Sequence, residues 1–88
     1  MFGYNKVNAV VVKRFRVVTK DRTAFWFKWS IQRECDGTVT VWRRRADEPN
    51  VWDFMGICDT WKEAQHLASR LADQTRILLR DGGLTVQF

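Results

Sequence analysis

Histidine, proline and cysteine are scarce in this chain of 88 residues, which has one His, one Pro and two Cys. Long apolar runs are missing altogether. Runs such as residues 9–12 reach only four positions, far below the ~20 that a membrane-spanning helix needs. The N-terminus also lacks the apolar stretch, followed by small residues, that marks a secretory signal. We therefore expect a cytoplasmic protein that has no membrane span.

The lone histidine and the two cysteines argue against most catalytic and metal sites. Cys35 and Cys58 stand 23 positions apart and, together with His66, lack the paired ligand spacing of a zinc site. No nucleophile–base set can be assembled, and neither a Gly-rich phosphate loop nor a dinucleotide fingerprint occurs. We therefore expect no enzyme, no catalytic residue, no metal and no cofactor, and we expect both thiols to be reduced.

Acidic residues are outnumbered, with 10 Asp and Glu against 15 Lys and Arg, so the net charge is +5. The densest cluster is Arg43-Arg44-Arg45. Such an excess raises the expectation of a polyanionic partner such as nucleic acid. The alternative is that the charge merely keeps a chain with five Trp and six Phe in solution. The length and the apolar content of 45% indicate one folded domain over residues 1–88.

The first half of the chain predicts strands. Residues 9–19 contain five Val and one Phe, residues that suit a strand. Along residues 25–32, apolar residues alternate with residues that are mostly polar. A hairpin to residues 38–42 follows, and its loop length decides the register. A three-residue loop, Cys35-Asp36-Gly37, with Gly37 left-handed, keeps the apolar residues on one face. That register sets Ile31 opposite Val41 and Ser30 opposite Trp42, whereas a two-residue loop mixes the faces.

The second half predicts one further strand and a helix. Residues 46–50 are expected to form a loop and residues 51–58 a strand. Thr60 and Glu63 then make a capping box, which predicts a helix over about residues 60–74.

The C-terminal end allows two structures. Asp81-Gly82-Gly83 can end a long helix, or can turn a hairpin within residues 76–88. Ile77 would lie on the polar face of the long helix, which slightly favours the hairpin. The predicted fold class is α+β, with an antiparallel sheet of three to five strands packed on one face by a single amphipathic helix.

The sheet face that points away from the helix is predicted to carry Trp26, Lys28, Trp42 and Arg44, and Arg14 and Arg16 join them if the first strand keeps the same alternation. Basic side chains contact phosphates and guanine edges, and Trp rings stack or wedge against bases and sugars. The alternative is a solvated face on which Trp rings pack under long Arg stems. The predicted nucleic-acid-binding residues are Arg14, Arg16, Trp26, Lys28, Trp42, Arg43, Arg44 and Arg45.

Residues 56–64 have the sequence Gly-Ile-Cys-Asp-Thr-Trp-Lys-Glu-Ala. With Val51-Trp52 ahead and Ala68 behind, this segment resembles the strand-to-helix junction of AP2-like domains. Those include plant transcription-factor domains and the related arm-binding domains of phage and transposon integrases. The family pattern is a Gly, an aromatic two residues later, then Asp-Thr-x-x-Glu-Ala, and Cys58 stands in place of the aromatic. The resemblance, over residues 51–68, implies a three-stranded sheet in the DNA major groove, backed by one helix.

These observations are compatible with two classes of function. The first is a small nucleic-acid-binding module, DNA being favoured, of the kind found in phages, plasmids or transposons. The second is a protein-binding adaptor or inhibitor, in which the Trp/Arg face or an unpaired sheet edge docks a protein. A homodimer that buries Trp26 and Trp42 is a third arrangement.

Overall fold

The computed structural model describes residues 9–45 and 51–87, so the loop predicted at residues 46–50 lies outside the described residues. Within these two ranges the chain forms five strands and one α-helix. Their order is β1 (Val10–Val18), β2 (Ala24–Arg33), β3 (Val39–Arg45), β4 (Asp53–Cys58), α1 (Trp61–Asp81) and β5 (Thr85–Gln87). The predicted α+β class is confirmed.

The five strands form one antiparallel sheet in the order β4-β3-β2-β1-β5. The first four strands follow one another as a meander. After α1 the chain returns to the far side of the sheet, where β5 pairs with the second half of β1. The central strand is β2, whose alternating sequence therefore decides what lies on each face of the sheet.

The core lies between the sheet and α1. Its largest member is Trp29, which is fully buried and packs against Phe15, with a ring-centre distance of 5.2 Å. On the helix, three alanines spaced by four residues are buried against these rings. Small side chains at that spacing let the helix backbone approach a sheet that carries large rings. The buried apolar residues of this core cluster are Phe15, Val17, Phe27, Trp29, Ile31, Val39, Val41, Ala64, Ala68 and Ala72.

The hairpin between β2 and β3 has the predicted three-residue loop. Ile31 lies opposite Val41 and Ser30 lies opposite Trp42. Gly37 has a φ of 89°, and its N–H donates to the Glu34 carbonyl at 3.0 Å. The predicted register is confirmed, because Gly readily adopts the left-handed conformation that ends this loop.

The hairpin between β1 and β2 has the same backbone hydrogen bonds but carries Arg22 where the other hairpin has Gly. Thr19 N–H donates to the Thr23 carbonyl at 2.9 Å, and Arg22 N–H donates to the Thr19 carbonyl at 3.0 Å. Arg22 has a φ of 67°, a conformation that costs a side-chain-bearing residue roughly 1–2 kcal/mol. The Asp21 carboxylate accepts hydrogen bonds from both threonine hydroxyls, which stabilise the turn and lower the pKa of Asp21.

The helix begins as predicted. Thr60 is its N-cap: the Thr60 hydroxyl accepts from the Glu63 N–H at 3.2 Å and donates to the Glu63 carboxylate at 2.9 Å. This exchange satisfies one of the backbone donors left open in the first helical turn.

The preference for a C-terminal hairpin over residues 76–88 is wrong, and so is the helix end near residue 74. The helix continues to Asp81, and Gly83 then turns left-handed with a φ of 91°. Gly83 N–H donates to the Arg80 carbonyl and Leu84 N–H to the Leu79 carbonyl, the two bonds of a Schellman motif. Leu79 and Leu84 both pack against the core, so the helix gains apolar contacts by continuing.

We expect Arg22→Gly to raise the free energy of unfolding by about 0.5–1 kcal/mol, because the left-handed strain is removed and only part of that gain is lost to backbone entropy. Urea unfolding measures it. Lys20→Gly is the matched control in the same loop, because Lys20 does not have a positive φ; it should lower stability by about 0.5–1 kcal/mol. Equal effects of the two substitutions would contradict strain at Arg22.

Candidate functional site

The face of the sheet opposite α1 is called the open face below. Because side chains alternate along a strand, the residues between the core positions of β1, β2 and β3 point to it. The register places Arg14 beside Lys28, Arg16 beside Trp26, and Ser30 beside Trp42. Six of the eight predicted binding residues share this face: Arg14, Arg16, Trp26, Lys28, Trp42 and Arg44.

Three cations form a line across the open face, called the cationic row. Arg14 on β1 lies directly opposite Lys28 on β2, and Lys28 lies directly opposite Arg44 on β3. Since neighbouring strands are about 4.8 Å apart, the row spans roughly 10 Å. Within residues 9–45 and 51–87, no carboxylate lies within ion-pair distance of these three side chains. Like charges directly opposite one another destabilise a sheet, so the row favours an external anion.

Two aromatic rings orient the ends of the cationic row. The Arg14 guanidinium carbon lies 5.1 Å from the centre of the Trp26 ring, and the Arg44 guanidinium carbon lies 4.9 Å from that of Trp52. Such cation–π contacts fix a guanidinium over a ring. Arg44 Nε is buried and has no acceptor among the described residues. Among the described residues, these arginines are therefore held in place by rings rather than by carboxylates.

Trp42 shares the open face but does not reach its surface. Its side chain is only 5% exposed and meets the Phe54 ring edge-on at 5.3 Å. Its indole N–H donates to the Thr40 hydroxyl at 2.9 Å, and that hydroxyl donates to the Glu34 carboxylate at 2.8 Å. The structure thus gives Trp42 a packing role, and Trp26 alone of the two predicted tryptophans is partly accessible.

The predicted triplet Arg43-Arg44-Arg45 is divided between the two faces. Arg43 lies opposite Trp29 and Arg45 lies opposite Phe27, so both are on the helix side. Arg43 donates to the Asp53 carboxylate from Nε and Nη2, at 3.2 and 2.9 Å. The Arg45 guanidinium carbon lies 4.2 Å from the Phe25 ring centre. The structure does not bring these two arginines together with Arg44.

Trp52 is the residue of this site that the predicted set lacks. It immediately precedes β4 and is partly buried. The register places Trp52 beside Arg44, because Trp52 stands two positions before Phe54, which lies opposite Trp42. No pattern in the sequence indicates this position, because the register of β4 against β3 depends on a bulge.

The other end of the open face has the opposite character. A groove of about 450 Å³ is lined there by two carboxylates and by exposed apolar side chains. Phe54 and Ile57 are 56% and 59% exposed. Hydrogen bonds from Thr38 lower the pKa of Asp36, which keeps this end negatively charged. The residues that line the groove are Glu34, Cys35, Asp36, Thr38, Thr40, Trp42, Phe54 and Ile57.

Groups that could carry chemistry are scattered over the described part of the chain. His66 is exposed on α1, and burial raises the pKa of the Cys58 thiol, which disfavours the thiolate. Among residues 9–45 and 51–87, no three His, Cys, Asp or Glu side chains are close enough to hold a metal ion. The only helix described, α1, is too polar to cross a membrane.

Comparison with known proteins gives no relatives: no family model, curated protein or solved structure matches the chain significantly. The resemblance of residues 51–68 to AP2-like domains therefore stays a prediction. The interpretation of the site depends on its geometry.

We expect Trp42→Phe and Thr40→Val each to lower the free energy of unfolding by about 1–2 kcal/mol, since each breaks the buried Trp42–Thr40 hydrogen bond. The double variant should lose about 1 kcal/mol less than the sum, because the two side chains share that bond. Urea unfolding of the four proteins measures this coupling. The control cycle combines Trp26→Phe with Thr40→Val, and here the losses in the free energy of unfolding should be additive. Additive losses in both cycles would contradict the hydrogen bond between Trp42 and Thr40.

Proposed function

We propose that the chain is a nucleic-acid-binding module, with DNA as the favoured ligand, and that it binds the phosphate backbone through the cationic row. The observation that carries the proposal is the alignment of Arg14, Lys28 and Arg44 directly opposite one another on three strands, with no carboxylate in ion-pair distance among the described residues. The three like charges repel one another, so their alignment on one face does not itself stabilise the sheet.

The chemistry of the row suits phosphate groups. Guanidinium groups pair with phosphate oxygens in a bidentate manner, and an ammonium group acts as a compact point charge between them. Arg14 and Arg44 flank Lys28, so the row has one guanidinium group on each side of the Lys28 ammonium group. Arg16 lies two residues along β1 from Arg14 and extends the positive surface toward β5.

Aromatic side chains at both ends of the row supply contacts of a second kind. Trp26 and Trp52 are each partly exposed and each carries a guanidinium. A base or sugar beside the bound phosphates can stack on such a ring or on the guanidinium plane above it. These contacts tolerate any base, since every base has a stacking face.

The width of the sheet limits how it can meet a duplex. Five strands at about 4.8 Å span roughly 19 Å, whereas the major groove is about 12 Å wide. The whole open face therefore does not enter a groove, and contacts are made with the backbone or with a single strand. We expect binding that depends strongly on salt and weakly on sequence.

We expect Lys28→Gln to weaken binding and to reduce the slope of log K against log salt by about 0.9 for duplex DNA, because one phosphate contact is lost. The unsubstituted row should give a slope of about −2.7 from its three contacts. Fluorescence anisotropy with labelled duplex and single-stranded DNA between 50 and 200 mM salt measures both values.

The matched control is Lys62→Gln, which removes the same charge from an exposed position in the first turn of α1. It should leave the slope unchanged. If both substitutions reduced affinity equally, or if neither did, the positive charge would act only generally and the cationic row would not be the binding site.

A second candidate function is protein binding, and a separate observation favours it. Phe54 and Ile57 expose apolar side chains next to the free edge of β4, and apolar surface beside an unpaired strand is typical of protein contacts.

A further inference from the structure

The strand β4 forms one edge of the described sheet along its whole length. In the described part of the chain, β4 pairs only with β3, so its outer backbone groups have no strand beside them. At the opposite edge, β5 has three residues and leaves the first half of β1 without a described partner on that side, but this stretch carries Lys13 and Arg14. The whole of β4, six residues, is exposed at its own edge. Proteins commonly protect such an edge with Lys or Pro, yet Asp53–Cys58 contains neither.

A bulge gives β4 an unusual pattern of side-chain directions. The register shifts between Val41 and Trp42, so that Phe54 lies opposite Trp42 and Gly56 lies opposite Val41. Met55 is the extra residue and packs against the core. A Cβ on Gly56 would lie 2.9 Å from Leu67 of α1, so Gly56 also faces the helix.

The resulting order of faces along β4 is the same in both directions. From residue 53 to residue 58 it runs helix side, open face, helix side, helix side, open face, helix side. In an antiparallel pair, residues directly opposite one another point to the same face. A regular six-residue strand cannot pair with itself about its midpoint, because its faces would then be mixed. The bulge makes this pairing consistent.

We propose that β4 pairs antiparallel with β4 of a second copy of this chain, so that Phe54 lies opposite the second copy's Ile57. The two-fold axis passes between Met55 and Gly56. The two exposed apolar side chains of each copy then form one cluster of four across the junction. Residues 56% and 59% exposed in the single chain become covered by each other.

The charge of β4 permits a second copy as the occupant. The one charged residue of the strand, Asp53, is already paired with Arg43 at 2.9 Å, so the two edges do not repel each other.

The size of the junction predicts a weak dimer. A stable interface buries about 800 Å² on each partner, and six backbone positions with two side chains per copy offer less. We expect dissociation at micromolar concentrations and association above them. The axis is perpendicular to the sheet, so both open faces lie on one side and both cationic rows lie on one continuous surface. The pairing itself does not depend on the proposed nucleic-acid binding.

Cysteine cross-linking tests the register. Phe54→Cys and Ile57→Cys are prepared separately, both with Cys35→Ser, and one carries a size tag. Under mild oxidation, the disulfide between one Phe54→Cys copy and one Ile57→Cys copy should be at least about fivefold more abundant than a disulfide between two copies of the same variant (a like pair). The reason is that directly opposite Cα atoms are about 5 Å apart, as a disulfide requires. Cys35→Ser alone should give no cross-link. Like pairs as abundant as the mixed pair would overturn the register.

Sedimentation of the unsubstituted protein tests the association itself. Dimers should form between about 10 µM and 1 mM, and Ile57→Lys should abolish them, because it places two like charges against the apolar cluster. Leu78→Lys makes the same change at a residue 72% exposed on α1 and should have no effect. A protein that stays monomeric at about 1 mM, or that dimerises equally well as Ile57→Lys, would overturn the proposal. Neither result would bear on DNA binding.

Discussion

The packing of the apolar side of β2 against the alanines of α1 positions everything else in the molecule. Trp29 and Ile31 are fully buried there, under Ala64 and Ala68. Because the side chains of a strand alternate strictly, burying these residues sends Lys28 and Trp26 to the other face. A shift of one residue in the pairing of β2 would bury those side chains instead, and the large free-energy cost of burying an unpaired ammonium prevents it. The register of the core therefore also determines the chemistry of the open face.

The open face combines two regions that are stabilised in different ways. Around Trp42, a ring contact and a hydrogen-bonded chain through Thr40 to Glu34 bury polar groups that are paired with one another. Around Lys28, like charges are held close together by stacking on aromatic rings. The first region contributes to stability through paired polar groups, whereas in the second region the repulsion between like charges opposes the attraction of the guanidinium groups to the rings. Since both regions use the same strands, the rigid one holds the charged one in place.

Elements with a strong local signal could be predicted from the sequence. The loop at Cys35-Asp36-Gly37 follows from parity together with Gly37, and the helix start follows from Thr60 and Glu63. The helix end could not be predicted from periodicity, because its cause is tertiary: Leu79 and Leu84 pack against a core that the helical pattern alone does not show. Ile77 is 41% exposed on the long helix, and it does not argue against that helix because an isolated exposed apolar residue is ordinary on a protein surface.

In the candidate site, too, some features follow from local sequence patterns and others depend on tertiary contacts. Arg14, Lys28 and Arg44 could be placed on one face, because alternation continues through three regular strands. The burial of Trp42 could not, because it depends on Phe54, which a bulge in β4 brings beside it. The separation of Arg43 and Arg45 from Arg44 was within reach, since consecutive residues of a strand cannot share a face.

The position of β5 also bears on how the molecule forms and opens. The strands from β1 to β4 pair with their neighbours in sequence, so their contacts close short loops. The pairing of β5 with β1 consists of three residue pairs, of which Val17 and Val86 are the central one. It brings together positions that are separated by almost the whole described chain. The long loop between them is bridged once α1 has packed on the sheet, after which only residues 82–84 separate β5 from the helix and three residue pairs hold β5 to β1. The meander and its helix can therefore assemble first, with β5 joining last and detaching first, as a region of low local stability at one edge of an otherwise cooperative unit.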